Sequence, residues 1–155
     1  MLKSIEGNFD HPEVNNLLKK HFVELRAASP EGSAHVLDIS GLKVSSIKFW
    51  SLWEGGQLMG CGALKFLGTN HGEFKSIRLH DTFRGKNNGI KVISHLIDEA
   101  RKLDIKRLNI ETGSGTFFAP ARKLFDDCGF KACPPFAHYK EDVNSLYLTK
   151  LIDNS

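Results

Sequence analysis

Between two apolar segments the chain reads Arg84-Gly85-Lys86-Asn87-Asn88-Gly89, and a strongly apolar helical stripe follows at once. These residue types suit an anion. The first turn of a helix offers unpaired N–H groups and partial positive charge. Glycine and asparagine tolerate left-handed backbone, which lets successive amides converge on one ligand. Arg84 and Lys86 add charge, so the chemistry implied is a cradle for phosphate or pyrophosphate. Two rival cradles are excluded. A P-loop needs Gly-Lys-Ser or Gly-Lys-Thr, which never occurs here, and the dinucleotide fingerprint needs GxGxxG beside the first strand. Taken alone, the same six residues serve equally well as a polar surface loop leading into a helix.

Other reactive side chains are less informative. The seven histidines show no HExxH or other metal-ligand spacing, so no metal is expected. Cys61, Cys128 and Cys133 are odd in number and lack CxxC spacing, which suits reduced thiols and a cytoplasmic protein. Phe117 and Phe118 are adjacent at a helix start, so they cannot share one face. Trp50 and Trp53 sit at an odd spacing on one strand, and core packing is the default for both.

The elements that must position these residues follow from period and punctuation. Residues 2–6 read as a strand. Asp10 as a cap, Pro12 and Glu13 then start a helix whose stripe is Val14, Leu17, Leu18, Phe22 and Leu25. Residues 33–42 suggest a short helical piece capped by Ser33. Ile47 to Trp53 and Gln57 to Phe66 read as strands joined by the Gly55-Gly56 hairpin. A turn at residues 68–72 leads to a strand over Glu73 to Leu79. Phe74 and Ile77 are three apart, hence on opposite faces of a regular strand. A bulge near Lys75-Ser76 restores Phe74, Ile77 and Leu79 to one face and leaves Glu73 and Arg78 on the other. After a loop come a helix marked by Ile90, Ile93, Ile97 and Ala100, and a strand over Arg107 to Glu111. A helix over residues 117–128 stops at Gly129. Strands over residues 130–133 and 145–152 close the chain, which reads as one α/β domain, residues 1–155, on a mixed sheet.

The arrangement resembles the GNAT superfamily of N-acetyltransferases. Arg84 and Gly89 match the ends of its Q/R-x-x-G-x-G/A signature, with Asn87 in place of the middle glycine, the best non-glycine substitute for left-handed backbone. Ala121-Arg122-Lys123-Leu124-Phe125, followed by Gly129-Phe130, resembles A-x-x-L-Y-x-x-x-G-F. Gly60-Cys61-Gly62-Ala63-Leu64, Gly72-Glu73, Lys75-Ser76, Glu111-Thr112-Gly113 and Phe117 through Arg122 resemble a group of small bacterial acetyltransferases. Arg26-Ala27 with Ser29-Pro30, and Glu141-Asp142 with Asn144-Ser145, extend the likeness over nearly the whole chain.

The resemblance implies a GNAT-like acyl-CoA N-acyltransferase fold, a mixed central sheet flanked by helices. It implies acetyl transfer from acetyl-CoA, as cosubstrate, to the primary amine of a small molecule by direct attack in a ternary complex. Amides of Arg84, Gly85, Lys86, Asn87, Asn88, Gly89 and Ile90 would hold the pyrophosphate. Ile77, Arg78 and Leu79 would bond the pantetheine arm, with the Leu79 amide polarising the thioester carbonyl. Phe117, Ala121, Arg122 and Lys123 would border the coenzyme, although Arg122 and Lys123 equally suit a solvated helix face. Glu73 occupies a position used as general base in parts of the family; the alternative is a rim glutamate paired with Lys75 or Arg78. Phe125 stands where the family's usual tyrosine protonates the leaving thiolate, which leaves water, Tyr139 or Cys128 for that step. Arg26, His35, Arg78 and Asp142 are acceptor-pocket candidates. Arginines there would favour an acceptor bearing a carboxylate, and a surface salt bridge is the alternative for each.

The 155 residues carry a formal charge of +3, with 41% hydrophobic and 25% charged residues, ordinary for a globular protein. No basic face with interleaved aromatics speaks for nucleic acid. No apolar run approaches the roughly 20 residues of a membrane span. Because Phe125 and Asn87 depart from the family pattern, a catalytically weak acyl-CoA-binding or regulatory domain is the alternative function. A homodimer is expected from the family's habit alone.

Overall fold

The computed structural model describes residues 1–29 and 38–152. Seven strands form one sheet in the order β1-β2-β3-β4-β5-β7-β6. They are β1 (Leu2–Glu6), β2 (Ile47–Glu54), β3 (Gln57–Gly68), β4 (His71–Leu79), β5 (Arg107–Gly113), β6 (Lys131–Ala132) and β7 (Ser145–Leu151). Only β4 and β5 pair in parallel; the other neighbours are antiparallel. The helices are α1 (Pro12–Ala28), α2 (Ile39–Leu42), α3 (Asn88–Lys102) and α4 (Ala119–Asp127).

Apolar periodicity decides which face each helix covers. Val14, Leu17, Leu18 and Phe22 of α1, with Leu42 of α2, bury against Phe49, Leu58, Cys61 and Ala63. On the opposite face Val92, Ile93, Leu96, Ile97 and Ala100 of α3, with Phe125 of α4, bury against Leu52, Met59, Leu64, Phe74, Leu108 and Ile110. Strand residues alternate between these two layers, as a pleat requires. Trp50 joins the second layer, whereas Trp53 packs against the first.

Several boundaries differ from the reading of the sequence. The side chain capping α1 is His11, whose Nδ1 accepts from the Glu13 amide at 3.1 Å, rather than Asp10. The α2 helix is a single turn capped by Asp38, whose Oδ1 accepts from Gly41 N at 2.8 Å; the Ser33 cap lies outside the described residues. The turn before β4 shortens to Thr69-Asn70, because Asn70 takes a left-handed φ of 61° and lets pairing begin at His71. The third long helix begins only at Ala119, after a 3-10 turn over Thr116–Phe118. Gly129, at φ 91°, ends it as expected.

The parity fault in β4 resolves as a bulge. Cys61 pairs with Arg78, but Ala63 pairs with Lys75, so β4 spends one residue more than β3 over the same interval. Ser76 takes φ 54° there, and the Cys61 thiol donates to the Ser76 carbonyl at 3.4 Å. The bulge also parts β4 from β5. Their parallel register runs from His71↔Arg107 to Phe74↔Ile110 and stops, although both strands continue. Beyond that point the sheet is open between them.

Candidate active site

The predicted anion loop has the backbone of a nest. Gly85, Lys86 and Asn87 are consecutively left-handed, at φ 86°, 55° and 61°. Arg84 N and Asn88 N donate within the loop's own turns, to Asp81 O and Gly85 O. The amides of Gly85, Lys86, Asn87, Gly89 and Ile90 find no acceptor among the described residues. Those donors sit at the positive end of α3, a ready anion site. The Asn88 side chain braces the loop by donating to Phe83 O at 2.8 Å. Gly89 is required by contact: a Cβ there would stand 2.9 Å from Leu124 of α4.

From this loop a cleft of about 500 Å³ runs between α3, α4 and the end of β4. Ile77, Arg78, Leu79, Arg84, Gly85, Asn87, Asn88, Gly89, Ile90, Phe117 and Ala121, all expected at the coenzyme, line it. Strand geometry aims the Leu79 amide into the cleft. His80 N donates back to Met59 O of β3 at 2.7 Å, and successive amides point to opposite edges of a strand, so Leu79 N–H faces the side from which β5 has withdrawn. A smaller cavity of about 140 Å³ occupies the opening between β4 and β5. The two spaces share His21, Leu25, Ile77, Phe118, Ala121 and Phe125 as walls.

Glu73 lines the smaller cavity, and its side chain is only 2% exposed. Its Oε2 accepts from Tyr139 Oη–H at 2.7 Å and from Lys75 Nζ at 3.1 Å. Lys75 Nζ also donates to the Tyr139 oxygen at 2.9 Å. Oε1 is buried and has no hydrogen-bond partner among the described residues. Burial, then the neighbouring Glu73 carboxylate, raises the Tyr139 hydroxyl pKa far above its ordinary value, so it stays protonated.

Beside this triad lies an ion network joining α1, β4 and the anion loop. Arg78 Nη1 donates to Glu24 at 2.6 Å and Nη2 to Asp81 at 3.2 Å, leaving Nε buried and without a partner among the described residues. Asp81 also holds Lys20 and, at 3.0 Å, Arg84. The Lys20 hydrogen bond, aided by Arg84 and Arg78, keeps Asp81 at about 2 despite partial desolvation. His21 is buried, with Nδ1 unpartnered among the described residues; desolvation first, then Arg78, lowers its pKa to about 4 against the pull of Glu24.

Not every expected residue reaches the cavities. Lys86 lies in the nest but outside the cleft lining. Arg122 Nη1 donates to Gly113 O at 2.8 Å and Gly115 O at 2.7 Å, tying β5 to the turn before α4, while Lys123 lines the cleft. Arg26 is exposed, with its guanidinium 5.9 Å from the Phe22 ring. Asp142 caps its own turn through Asn144 N at 2.8 Å. His35 lies outside the described residues. Phe117 lines the cleft alone, whereas Phe118 lines both cavities, because its ring occupies the space a Cβ at Gly113 would need. His21 was missed, although it falls on the stripe of Val14, Leu17 and Leu18 and so had to point inward. The groups on Glu73 divide: Lys75 was foreseen as a partner, whereas Tyr139 had no spacing to announce it.

The acetyltransferase (GNAT) family model matches residues 12–130. The chain is 46% identical over 138 residues to the N-acetyltransferase YsnE of Bacillus subtilis, covering 89% of this chain and 91% of YsnE. It is 37% identical over 139 residues to the N-acetyltransferase YedL of Escherichia coli, covering 90% and 87%. In fold it is similar to a Bacillus subtilis acetyltransferase solved in complex with CoA, with a TM-score of 0.70, 19% identity and coverage of 98% and 99%. A loop of free amides, a cleft leading to an opened parallel pair and these relatives converge: the chain belongs to the GNAT family and is an acetyl-CoA-dependent N-acetyltransferase.

Proposed function

We propose that the protein transfers acetyl to the primary amine of a small molecule by direct attack within a ternary complex, with Glu73 as general base. The observation that carries this reading is the unpartnered, buried Oε1 of Glu73 in the cavity between β4 and β5. The diphosphate of acetyl-CoA would lie on the amides of residues 85–90, and the pantetheine arm would follow the cleft along Ile77 to Leu79. The Leu79 N–H meets the thioester oxygen, where negative charge develops in the transition state.

An acceptor arrives as an ammonium and cannot attack until it loses a proton. Glu73 Oε1 takes that proton. The freed amine nitrogen bonds to the acetyl carbon, the carbon–sulfur bond breaks, and the electron pair leaves on sulfur. The new amide sheds its second proton as the thiolate gains one. Phe125 is 94% buried in the core and has no proton to give; a CoA thiolate near its solution pKa is a tolerable leaving group without one. A carboxylate on the acceptor meets Arg78 Nε–H, a donor with no partner among the described residues, while each terminal nitrogen of that guanidinium holds a carboxylate of the chain.

Glu73→Gln tests the assignment. Thiol release from acetyl-CoA across a panel of small amines should fall by about 10²- to 10⁴-fold, while the KM for acetyl-CoA stays within about threefold. Turnover equal to that of the native chain at every pH would remove Glu73 from the chemistry. Coenzyme binding without turnover of any amine by the native chain would favour the acyl-CoA-binding domain instead.

A further inference from the structure

We propose that Lys75 and Tyr139 are positioning residues for Glu73: together they hold its carboxylate ionised inside the sheet and leave Oε1 as the one oxygen free to meet the acceptor. The inference rests on the reading of Glu73 as the base and goes beyond it, because it says what keeps a buried carboxylate competent.

The geometry forms a closed triangle. Lys75 Nζ reaches both Glu73 Oε2 and the Tyr139 oxygen, and Tyr139 gives its only proton to the same Oε2, with all three distances between 2.7 and 3.1 Å. Tyr139 therefore accepts from the cation and donates to the anion, so its hydroxyl orientation is fixed. The ammonium also lies 5.6 Å from the Tyr139 ring centroid. The Tyr139 ring is itself held by Phe136 at 5.2 Å, Tyr147 of β7 at 5.6 Å and His138 at 4.8 Å. The loop between β6 and β7 thus lowers a rigid phenol onto the end of a strand 66 residues away.

Physical chemistry makes both partners necessary. A carboxylate with 2% of its side chain exposed loses nearly all hydration, and burial alone drives such a group to take up a proton. A protonated Glu73 cannot accept another from an ammonium. An opposite charge within about 4–6 Å reverses that preference by about one to three pH units, and a donated hydrogen bond to the charged form adds to it. Saturating Oε2 also prevents the carboxylate from turning its second oxygen to the acceptor. Other ionisable groups face this site as well. Lys65 pairs across from Glu73 on β3, Glu111 of β5 and His21 of α1 line the same cavity, and His138 and Tyr147 flank Tyr139. Among the described residues, Lys75 and Tyr139 are the two that hydrogen-bond to the carboxylate.

The test needs no acceptor. The full chain, labelled with carbon-13 at glutamate Cδ, is titrated by NMR, and the Glu73 resonance is identified by its loss in Glu73→Gln. In Lys75→Met the Glu73 midpoint should move to higher pH by about one to three units. Tyr139→Phe should move it the same way by about one unit, and Lys75→Arg should return it to within about half a unit of the native chain. Retained binding of coenzyme A marks each variant as folded. A Lys75→Met midpoint equal to the native one overturns the proposal. Should that variant not fold, Tyr139→Phe decides, and an unmoved midpoint overturns it equally. Failure of Glu73 as base would appear elsewhere, as undiminished acetyl transfer by Glu73→Gln.

Discussion

His21 illustrates what one side chain contributes when burial outweighs its partners. Its imidazole is held neutral to about 4, chiefly by desolvation and then by Arg78. The unfolded chain takes up a proton at this residue near pH 6.5, and the folded chain refuses it until pH falls by a further two units or so. The folded pKa lies below the unfolded one, so this residue costs nothing above about pH 6.5 and progressively destabilises the fold as pH falls toward 4. The full shift corresponds to about 3 kcal/mol. Urea unfolding at pH 7 and pH 4 should show the native chain losing about 3 kcal/mol more than His21→Gln over that interval. Parallel losses in the two chains would mean that His21 binds its proton in the folded state. Because His21 borders both cavities, its neutrality would also keep a second cation away from the ammonium of the proposed acceptor.

Among the elements, β4 carries the most chemistry, and its neighbour β3 is shaped to let it do so. Gly60 faces Leu79 across the pair, and a Cβ at Gly60 would stand 2.5 Å from the Arg78 carbonyl oxygen and 3.4 Å from Leu79 Cα. Main chain has no rotamer with which to yield. Gly60→Ala should therefore push β4 outward at Leu79, the residue proposed to present its amide to the thioester, lowering stability by about 1–3 kcal/mol and weakening coenzyme binding by about tenfold or more. Gly115→Ala is the control: its φ is −71° and nothing lies within 4 Å of the new carbon. Denaturant midpoints and CoA calorimetry on the two variants check this, and equal behaviour would contradict it. The bulge itself was legible in residue order, because Phe74 and Ile77 cannot share a face without one. Its consequence, the parting of β4 from β5, was not, because it depends on the partner strand and not on β4 alone.

Across the whole molecule, the coenzyme would touch elements that otherwise have few reasons to hold together: the loop before α3, the end of β4 and the start of α4. Binding to the folded chain alone stabilises it by about 2.7 kcal/mol at a hundredfold excess over Kd, or roughly 6–10 °C in Tm for a chain of this size. Asn87→Asp isolates the cradle. Aspartate tolerates the left-handed backbone that Asn87 adopts at φ 61°, and it is a good residue at a helix start. The variant should unfold at or slightly above the native temperature without ligand, yet lose most of the CoA-induced rise, because a carboxylate then stands where the diphosphate is proposed to lie. An undiminished rise would place the diphosphate elsewhere.

Residue order was sufficient for whatever depends on neighbours along the chain. The α1 and α3 stripes, the Gly55-Gly56 hairpin, the stop at Gly129, the bulge and the left-handed run before α3 all follow from period, sterics and unpaired amides within a few residues. The anion loop was therefore readable, down to the asparagine that replaces a glycine. Contacts across long separations were not. Nothing in the spacing brings Tyr139 to Glu73, Arg78 to Glu24 or Arg122 to the Gly113 carbonyl, because a loop's length says little about where its side chains come to rest. Of the arginines expected for the acceptor, Arg78 holds two carboxylates through its terminal nitrogens and keeps Nε for another partner, whereas Arg26 is exposed. Which oxygen of Glu73 stays free was settled only when the loop between β6 and β7 closed onto β4, since that choice depends on distances no local rule contains.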